Sequence, residues 1–251
     1  MDYTLKKSLG QHFLVDESVS KRIVEVLLEE KPSQLLEVGP GGAALTKYLV
    51  TLEGIDLKCV ELDDEKVAWL EKNFPVLKGK IIHQSILDID PPFEGNFTVI
   101  GNFPYNISSQ IVFKVIEWKE QVNVMIGMFQ KEVAERIAAK HGSKVYGVTS
   151  VLTQAFFDVE YLFEVGEQAF NPPPKVKSAV IRMTPRKQPI EIKSERALFN
   201  LVKTAFNQRR KTLRNALKPI FLIKDMQEEI FNKRAEQLSV EDFAALTFRM
   251  K

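Results

Sequence analysis

The sequence predicts an α/β protein in which a mostly parallel, doubly wound sheet is followed by a small domain made only of helices. Three observations lead to this fold class. Short apolar runs alternate with helical patterns up to about residue 185, a glycine-rich turn follows the first of the expected parallel strands, and only helical patterns occur after residue 185. We therefore expect one domain over residues 1–185 and a second over residues 186–251.

The apolar runs place the expected elements in chain order. Parallel strands are predicted at residues 34–38, 57–60, 80–83, 97–100 and 122–129, with helices between them and at 131–140 and 146–155. Two further strands, at residues 156–165 and 179–183, are expected to form an antiparallel hairpin at the end of the sheet. Asp16 is the expected cap of the first helix, and Ser239 with Asp242 has the spacing of a capping box at the last.

Composition limits the class of protein. The chain has 251 residues, of which 45% are apolar and 27% charged, as in ordinary soluble globular proteins. No apolar run is long enough for a membrane span, and the first thirteen residues are too polar for a secretory signal. A single cysteine, Cys59, favours the reducing cytoplasm, and three scattered histidines without ligand spacing predict no metal site.

Positive charge is concentrated in one part of the chain. Residues 174–218 contain thirteen basic and two acidic residues, although the net charge of the whole chain is only +2. A helix over residues 206–217 would place Arg210 and Arg214 on one face, which suits contacts to phosphate groups along a folded RNA. The residues expected to bind RNA are Lys175, Lys177, Arg209, Arg210, Lys211 and Arg214.

A glycine turn and an acidic residue predict a cofactor site. Gly39 and Gly41 follow the first parallel strand, where glycine lets the backbone approach a ligand and a helix N-terminus could face an anion. Glu61 ends the next strand about twenty residues later, where a carboxylate can accept both hydroxyls of a ribose. This spacing indicates a cofactor that contains adenosine, and it also fits a nicotinamide-dependent oxidoreductase.

The stretch from Gly101 to Ser108 is the expected chemical centre. The amide oxygen of Asn102 and the backbone carbonyl of Phe103 are two acceptors that can grip an exocyclic amine. Pro104 stiffens the loop, and Tyr105 offers a ring on which a base could stack. The alternative interpretation is a proline-containing turn between a strand and a helix, with Ser108 as the helix N-cap.

Two further segments complete the candidate site. Residues 84–88 end the third parallel strand, where a side chain could reach the adenine of a cofactor. The segment from Phe170 to Lys177 is a stiff, basic loop with three consecutive prolines. Phe170 could stack on a base opposite Tyr105, or it could simply plug the loop with an apolar side chain.

Together, these motifs closely resemble the small-subunit ribosomal RNA adenine-N6 dimethyltransferases. The resemblance covers nearly the full length, through residues 11–14, 37–41, 102–108, 170–176, 206–217 and 239–243. It implies a Rossmann-like class I methyltransferase sheet and S-adenosylmethionine as the methyl donor. It also implies that both methyl groups are added to each of two adjacent adenosines in a hairpin near the 3′ end of small-subunit rRNA.

The resemblance also implies roles for individual residues. The residues that would line the cofactor pocket are His12, Leu14, Gly39, Glu61 and Asn102, and Tyr105 and Phe170 would flank the target adenine. The sequence departs from the family at Ser85, where Asp is usual and would accept a hydrogen bond from the cofactor adenine. Asp88 is a less favoured substitute for that contact. Phe103, where the family more often has Leu, should be tolerated because it contributes its backbone carbonyl.

Three other functions are weighed against this one. The 206–217 helix argues against the related methyltransferases that modify a large-subunit rRNA adenine and confer macrolide resistance, because it resembles only the small-subunit branch. An oxidoreductase would leave the Asn-x-Pro-Tyr motif unexplained. A ribosome-assembly factor could bind the immature small subunit without chemistry, and this role can coexist with catalysis. We expect a monomer that acts in the cytoplasm on rRNA within a pre-ribosomal 30S-type particle.

Overall fold

The computed structural model describes residues 12–251, except for the side chain of Asp225. Its main feature is a seven-stranded sheet. The strands are β2 (Gln34–Val38), β3 (Asp56–Glu61), β4 (Ile81–His83), β5 (Phe97–Asn102), β6 (Val122–Gln130), β7 (Phe157–Val165) and β9 (Ser178–Pro185). Their order across the sheet is β4-β3-β2-β5-β6-β9-β7.

Strand direction follows the prediction of a mostly parallel sheet. The pairs β2–β3, β2–β5, β3–β4 and β5–β6 are parallel, whereas β9 runs antiparallel to β6. The inner strands are apolar along nearly their whole length because helices cover both faces of such a sheet. Leu35 and Leu36 of β2 and Val99 and Ile100 of β5 are all fully buried.

A second, two-stranded sheet joins the start of the described chain to its later part. β1 (Phe13–Leu14) pairs antiparallel with β8 (Phe170–Asn171), and Leu14 lies opposite Phe170. The backbone N–H of Val15 extends the pairing by donating to the carbonyl of Ala169 at 2.8 Å. The basic and then amphipathic residues 6–14 predict an ordered arm from the sequence, and the part of it before His12 lies outside the described residues.

Helices connect the parallel strands. They are α1 (Glu17–Glu29), α2 (Thr46–Leu49), α3 (Asp64–Asn73), α4 (Ser108–Glu117) and α5 (Lys131–Ala138). Asp16 caps α1 as predicted, since its carboxylate accepts the N–H of Ser18 at 2.9 Å. The N-cap of α4 is Ile107 and not Ser108, whose hydroxyl instead donates to the carbonyl of Tyr105 at 3.2 Å.

The chain divides into two compact units. The first contains residues up to Ala134 together with Glu160–Pro185, and the second contains Glu135–Val159 and Arg186–Lys251. In the later part of the chain the units divide between Pro185 and Arg186, and Glu135–Val159, which lies within the range 1–185 given for the first domain, belongs to the second unit. This segment joins the second unit because Tyr146 packs edge-on against Phe206, at 6.2 Å between ring centroids.

The second unit is built from short helices. They are α6 (Val148–Gln154), α7 (Glu195–Asn207), α8 (Leu213–Ala216) and α9 (Val240–Thr247), with 3-10 turns at Ile223–Asp225, Glu229–Asn232 and Ala235–Gln237. The predicted capping box of α9 is present: Ser239 and Asp242 exchange side-chain to backbone hydrogen bonds of 3.0 Å each. Among the described residues, no helix has both the length and the apolar character needed to cross a bilayer.

Candidate active site

A cavity of about 190 Å³ opens at the carboxyl ends of β2, β3 and β5. This is the edge at which open α/β sheets bind ligands. Ten of the eleven predicted cofactor and amine-binding residues line it: His12, Leu14, Gly39, Gly41, Glu61, Ser85, Asn102, Phe103, Pro104 and Tyr105. The structure therefore brings together residues that are up to about ninety positions apart in the sequence.

The turn after β2 forms one wall of the cavity. Gly39 and Gly41 have φ angles of 67° and 52°, which residues with a Cβ rarely adopt. A Cβ on Gly41 would lie 3.5 Å from Cε1 of Phe13, which also lines the cavity. The expected helix directly after this turn is wrong, since residues 41–45 form turns and α2 begins only at Thr46. The positive φ of Ala43, 61°, interrupts any right-handed helix there.

Glu61 holds its carboxylate in a fixed position at the end of β3. One oxygen accepts the backbone N–H groups of Leu62 and Asp63 at 2.9 and 3.0 Å, and the other accepts that of Gly41 at 3.2 Å. The Glu61 residue is only 8% exposed. These contacts place a carboxylate in the cavity wall, where the predicted hydrogen bonds to ribose hydroxyls can form.

Glu37 is a buried acid in the same wall, and the sequence pattern did not single it out. It is 2% exposed; the hydroxyl of Thr46 donates to one oxygen at 3.0 Å, and the thiol of Cys59 donates to the other at 3.7 Å. Burial raises the pKa of Glu37 to about 7; the two hydrogen bonds oppose the rise, and the charge of Glu61 adds to it. The available signal was an acid inside an otherwise apolar strand.

Phe13 and Lys66 are two more cavity residues that the sequence did not reveal. Lys66 belongs to α3 and is only 3% exposed, which is rare for a lysine. Its Nζ lies 5.1 Å from the ring centroid of Phe13. A helix that covers a sheet usually turns its lysines outward, so the pattern of α3 gave no signal that Lys66 would line the cavity.

The segment after β4 lines the cavity with Gln84, Ser85, Ile86 and Leu87. Ser85 therefore lines the cavity, and its contact to a cofactor adenine stays a prediction. Its hydroxyl oxygen already accepts the backbone N–H of Leu87 at 3.2 Å. Asp88, the less favoured candidate for the contact to the cofactor adenine, is exposed and is not among the described residues that line the cavity.

The orientation of the Asn102 amide is set by His12. The Asn102 Nδ2 group donates to the backbone carbonyl of His12 at 3.4 Å. Because a carbonyl can only accept, the amide atom beside it must be the nitrogen. The amide oxygen of Asn102 is then the atom left to accept hydrogen bonds from a ligand.

Phe103 fits because two glycines leave room for its ring. It is 1% exposed and packs edge-on against Phe129, at 5.1 Å between centroids. A Cβ on Gly127 would lie 2.3 Å from the Phe103 ring, and a Cβ on Gly101 would lie 2.7 Å from it. The buried ring and the bond from the Phe103 N–H to the carbonyl of Met128, at 3.1 Å, anchor the backbone of this residue. Pro104 follows it in the cavity wall.

The ring that stacks on Tyr105 is His12 and not Phe170. The centroids of His12 and Tyr105 are 5.5 Å apart with an interplanar angle of 29°. Phe170 is 2% exposed, belongs to the buried apolar cluster with Leu14, and is not among the described residues that line the cavity. The predicted sandwich of Tyr105 and Phe170 is therefore corrected: pairing with β1 draws Phe170 into the core.

The basic residues differ in their surroundings. Lys175 and Lys177 are exposed on the loop before β9, and the Nζ of Lys177 lies 3.7 Å from the carboxylate of Glu164. Arg182, which added to the sequence's positive stretch, is bound by acids: it contacts Glu160 at 2.6 Å and Glu30 at 2.7 Å. Part of the positive charge is thus neutralised within the fold.

The predicted continuous helix over residues 206–217 is wrong. Helix α7 ends at Asn207, Gln208 leaves the helical region with φ −120° and ψ 48°, and α8 begins at Leu213. Arg209 Nη2 donates to the carbonyl of Lys144 at 2.6 Å, a tertiary contact that a straight helix would not make. Arg210 and Lys211 are exposed on the intervening loop, whereas the Nη2 group of Arg214 donates to the side chain of Asn232 at 3.1 Å.

Comparison with known proteins gives close relatives over the whole chain. A family model described as ribosomal RNA adenine dimethylase matches residues 3–250. Ribosomal RNA small subunit methyltransferase A of Parabacteroides distasonis is 55% identical over 248 residues, which cover 96% of this chain and 92% of the relative. The protein of the same name from Flavobacterium johnsoniae is 52% identical and covers 98% of this chain and 95% of itself.

Solved structures share the fold at lower identity. A dimethyladenosine transferase from Plasmodium falciparum has a TM-score of 0.79 at 22% identity, covering 95% of this chain and 99% of that one. The 23S rRNA methyltransferase ErmE has a TM-score of 0.72 at 21% identity, with the same coverage. The expected Rossmann-like class I methyltransferase fold is confirmed. The family model matches almost the whole of this chain, and the two relatives are more than half identical to it. The chain belongs to the ribosomal RNA adenine dimethylase family.

Proposed function

We propose that this protein transfers methyl groups from S-adenosylmethionine to N6 of two adjacent adenosines in the 3′-terminal hairpin of small-subunit (16S) rRNA, which gives dimethyladenosines. Family membership makes the chain an rRNA methyltransferase that uses S-adenosylmethionine. One observation carries the proposal: the Asn102–Tyr105 segment lies in the same cavity as Glu61 and the glycine turn. An amine-binding segment and a cofactor site are therefore adjacent.

The residues of the cavity fit S-adenosylmethionine. The Glu61 carboxylate would hold the ribose hydroxyls, the backbone at Gly39 and Gly41 would face the methionine end, and Ser85 would lie beside the adenine. The positive φ angles favour glycine at both positions, and the missing Cβ atoms leave this part of the wall free of side chains. When bound, S-adenosylmethionine supplies a methyl group that its sulfonium has already activated.

The protein's contribution to the reaction is orientation and electrostatics. The amide oxygen of Asn102 and the backbone carbonyl of Phe103 would each accept one hydrogen of the adenine N6 amine. Two acceptors favour a pyramidal nitrogen, whose lone pair is then withdrawn from the ring, and they stabilise the positive charge that develops on it. Pro104 has no N–H to compete for these acceptors, and it limits the motion of the loop.

Exposed basic residues would bind the RNA backbone. Lys175 and Lys177 in the first unit and Arg210 and Lys211 in the second are open to solvent and suit RNA phosphates. We propose that the rRNA is presented within a pre-ribosomal 30S-type particle in the cytoplasm and that the enzyme acts as a monomer. This places the protein in small-subunit biogenesis, where binding to the particle could also assist assembly.

The alternative of a large-subunit enzyme is less well supported. The curated relatives at 51–55% identity are named for the small subunit, whereas the large-subunit enzyme ErmE is similar at 21% identity in fold alone. A continuous 206–217 helix does not distinguish the two classes of enzyme here, because the helix is interrupted between Asn207 and Leu213. Mass mapping of unmodified small and large subunits after incubation with enzyme and methyl donor distinguishes the two functions. Dimethyladenosine on the large subunit alone would contradict the proposal.

Asn102→Ala tests the proposed chemistry. The variant should lower the rate of methyl transfer by about 10²–10³-fold, as removal of one transition-state hydrogen-bonding group does elsewhere. Binding of small-subunit RNA should change less than about twofold, because phosphate contacts supply most of the affinity. Asn123→Ala, an exposed asparagine on β6, serves as the matched control. Near wild-type turnover by the Asn102 variant would exclude the proposed role.

A further inference from the structure

A buried serine anchors the ring proposed to support the target base. The Tyr105 hydroxyl and the Ser178 hydroxyl lie 2.7 Å apart. Ser178 is fully buried and pairs with Gln130 at the junction of β9 and β6. Its position is therefore fixed by the central sheet and not by the loop that carries Tyr105.

Tyr105 is held at both ends by different contacts. At the backbone end its carbonyl accepts the hydroxyl of Ser108 at 3.2 Å, and one face of the ring stacks on His12. At the far end of the side chain, the phenol hydroxyl forms a hydrogen bond with the Ser178 hydroxyl. Burial raises the pKa of the Tyr105 phenol, with the bond to Ser178 opposing the rise, so the phenol keeps its proton at neutral pH.

We infer that Ser178 is a positioning residue for methyl transfer, which fixes the plane of the Tyr105 ring through the hydrogen bond between their hydroxyls. The inference deepens the proposed function and rests on it. Ser178 is not among the described residues that line the cavity, whereas Tyr105 lines it, so the proposed effect of Ser178 is exerted through Tyr105. The plane of the Tyr105 ring sets the orientation of a base that stacks on it. This orientation matters because the N6 lone pair must point at the methyl group for transfer to occur.

The two successive methylations make this role measurable. After the first transfer the same amine carries a methyl group, and the base has to be held again for the second. A Tyr105 ring without its hydrogen bond to Ser178 holds the monomethylated base less firmly. More monomethylated RNA then dissociates before the second transfer. The ratio of monomethyl- to dimethyladenosine therefore reports the positioning of the base separately from overall folding.

Ser178→Ala and Tyr105→Phe remove the same hydrogen bond from opposite ends. Each should lower the single-turnover rate on unmodified small subunits by about fivefold, the usual net effect of one hydrogen bond. Each should also raise the monomethyl fraction, and the double variant should resemble the single variants. The affinity for S-adenosylhomocysteine, measured by calorimetry, should remain within twofold of wild type.

Thr98→Val is the matched control because Thr98 is a buried hydroxyl residue on β5 outside the cavity. The inference would be overturned if both variants had the same rates and product ratios as this control. It would also be overturned if Ser178→Ala weakened S-adenosylhomocysteine binding in parallel with the rate, since this indicates a general structural role. If wild-type enzyme produced no dimethyladenosine on small subunits, the proposed function itself would fail, which is a distinguishable result.

Discussion

Single side chains in the site are oriented by partners from distant parts of the sequence. Asn102 donates to the His12 carbonyl, and the Tyr105 hydroxyl pairs with that of Ser178. Each contact occupies one polar atom of the functional residue and so determines which atom or surface remains for a ligand. The chemistry of this site thus depends on backbone and side-chain atoms that a motif search does not report.

Glu37 provides a prediction at the scale of one residue. Its pKa is raised by burial to about 7, above the ordinary glutamate value, so the folded protein binds this proton more tightly than the unfolded chain. The stabilisation of the fold by the protonated Glu37 carboxyl is complete below about pH 4.5 and is lost as the pH rises through 7. Glu37→Gln should therefore gain stability relative to wild type between pH 5 and pH 8, on the order of 2 kcal/mol.

Urea unfolding of both proteins at the two pH values measures this difference. The exposed Glu53→Gln is the control, and it should follow wild type at both pH values. A constant difference between Glu37→Gln and wild type across this range would show that the Glu37 carboxyl does not titrate there.

Packing between elements accommodates the aromatic side chain at position 103. The carboxyl end of β5 and the middle of β6 carry glycines, Gly101 and Gly127, and the Phe103 ring occupies the space above them. A larger aromatic at position 103 is accommodated because the neighbouring strands carry no side chain at these two positions. The backbone carbonyl that we expect to bind the amine is thus positioned by strand packing.

The loop between α7 and α8 provides a prediction at the scale of elements. Arg210→Ala combined with Lys211→Ala should weaken binding of small-subunit RNA and reduce the slope of log K against log salt by about two, one for each lost phosphate contact. Arg209→Ala should instead lower the melting temperature, since it removes the bond to Lys144. Filter binding over a series of salt concentrations gives the slope.

Lys78→Ala, an exposed lysine of the first unit, is the control for the salt series. If the Arg210 and Lys211 double variant kept the wild-type slope, the RNA would not contact this loop.

How far the sequence predicted the structure depends on which forces act locally. Strands and caps followed from apolar runs and from Asp16 and Ser239, because both depend on neighbouring residues. The break after Asn207 did not, since good helix formers follow it and the contacts of this segment, such as the bond from Arg209 to Lys144, join residues far apart in the sequence. Phe170 was misplaced for a similar reason: its burial depends on pairing with Leu14, far away in the sequence.

The candidate site was predicted in part for the same reason. Motif residues such as Glu61 and Asn102 could be found from spacing at the ends of strands, and the structure brings both to the cavity. Lys66 and Ser178 could not, because a lysine in a helix or a serine in a strand carries no local sign of what it will face, whereas Glu37 offered one sign, an acid inside an apolar strand. Only the assembled sheet makes them part of the site or of its support.

At the scale of the whole molecule, the residues of the cavity and the basic loop belong to different compact units. The cavity is lined by residues of the first unit, and Arg210 and Lys211 lie in the second. Cofactor binding and RNA binding are therefore expected to be separable by mutation. Such a division allows the RNA contacts to vary without disturbing the cofactor site.

Ligand-induced stabilisation tests this separation. S-adenosylhomocysteine at one hundred times its dissociation constant should stabilise the protein by about 2.7 kcal/mol and raise its melting temperature. Glu61→Gln should greatly reduce the shift, whereas Arg210→Ala with Lys211→Ala should leave it intact. Differential scanning calorimetry with and without the ligand provides the comparison. A shift lost in the double basic variant would mean that the two functions are coupled.

The pairing of Phe13 and Leu14 with Asn171 and Phe170 has a consequence for biosynthesis. A chain emerging from the ribosome exposes Leu14 early, but the strand that covers it is translated only after more than half of the protein has been made. Until then the wall that contains His12 and Phe13 has no partner strand to hold it in place. This wall of the cavity is therefore completed late, after six of the seven strands of the main sheet described here have been translated.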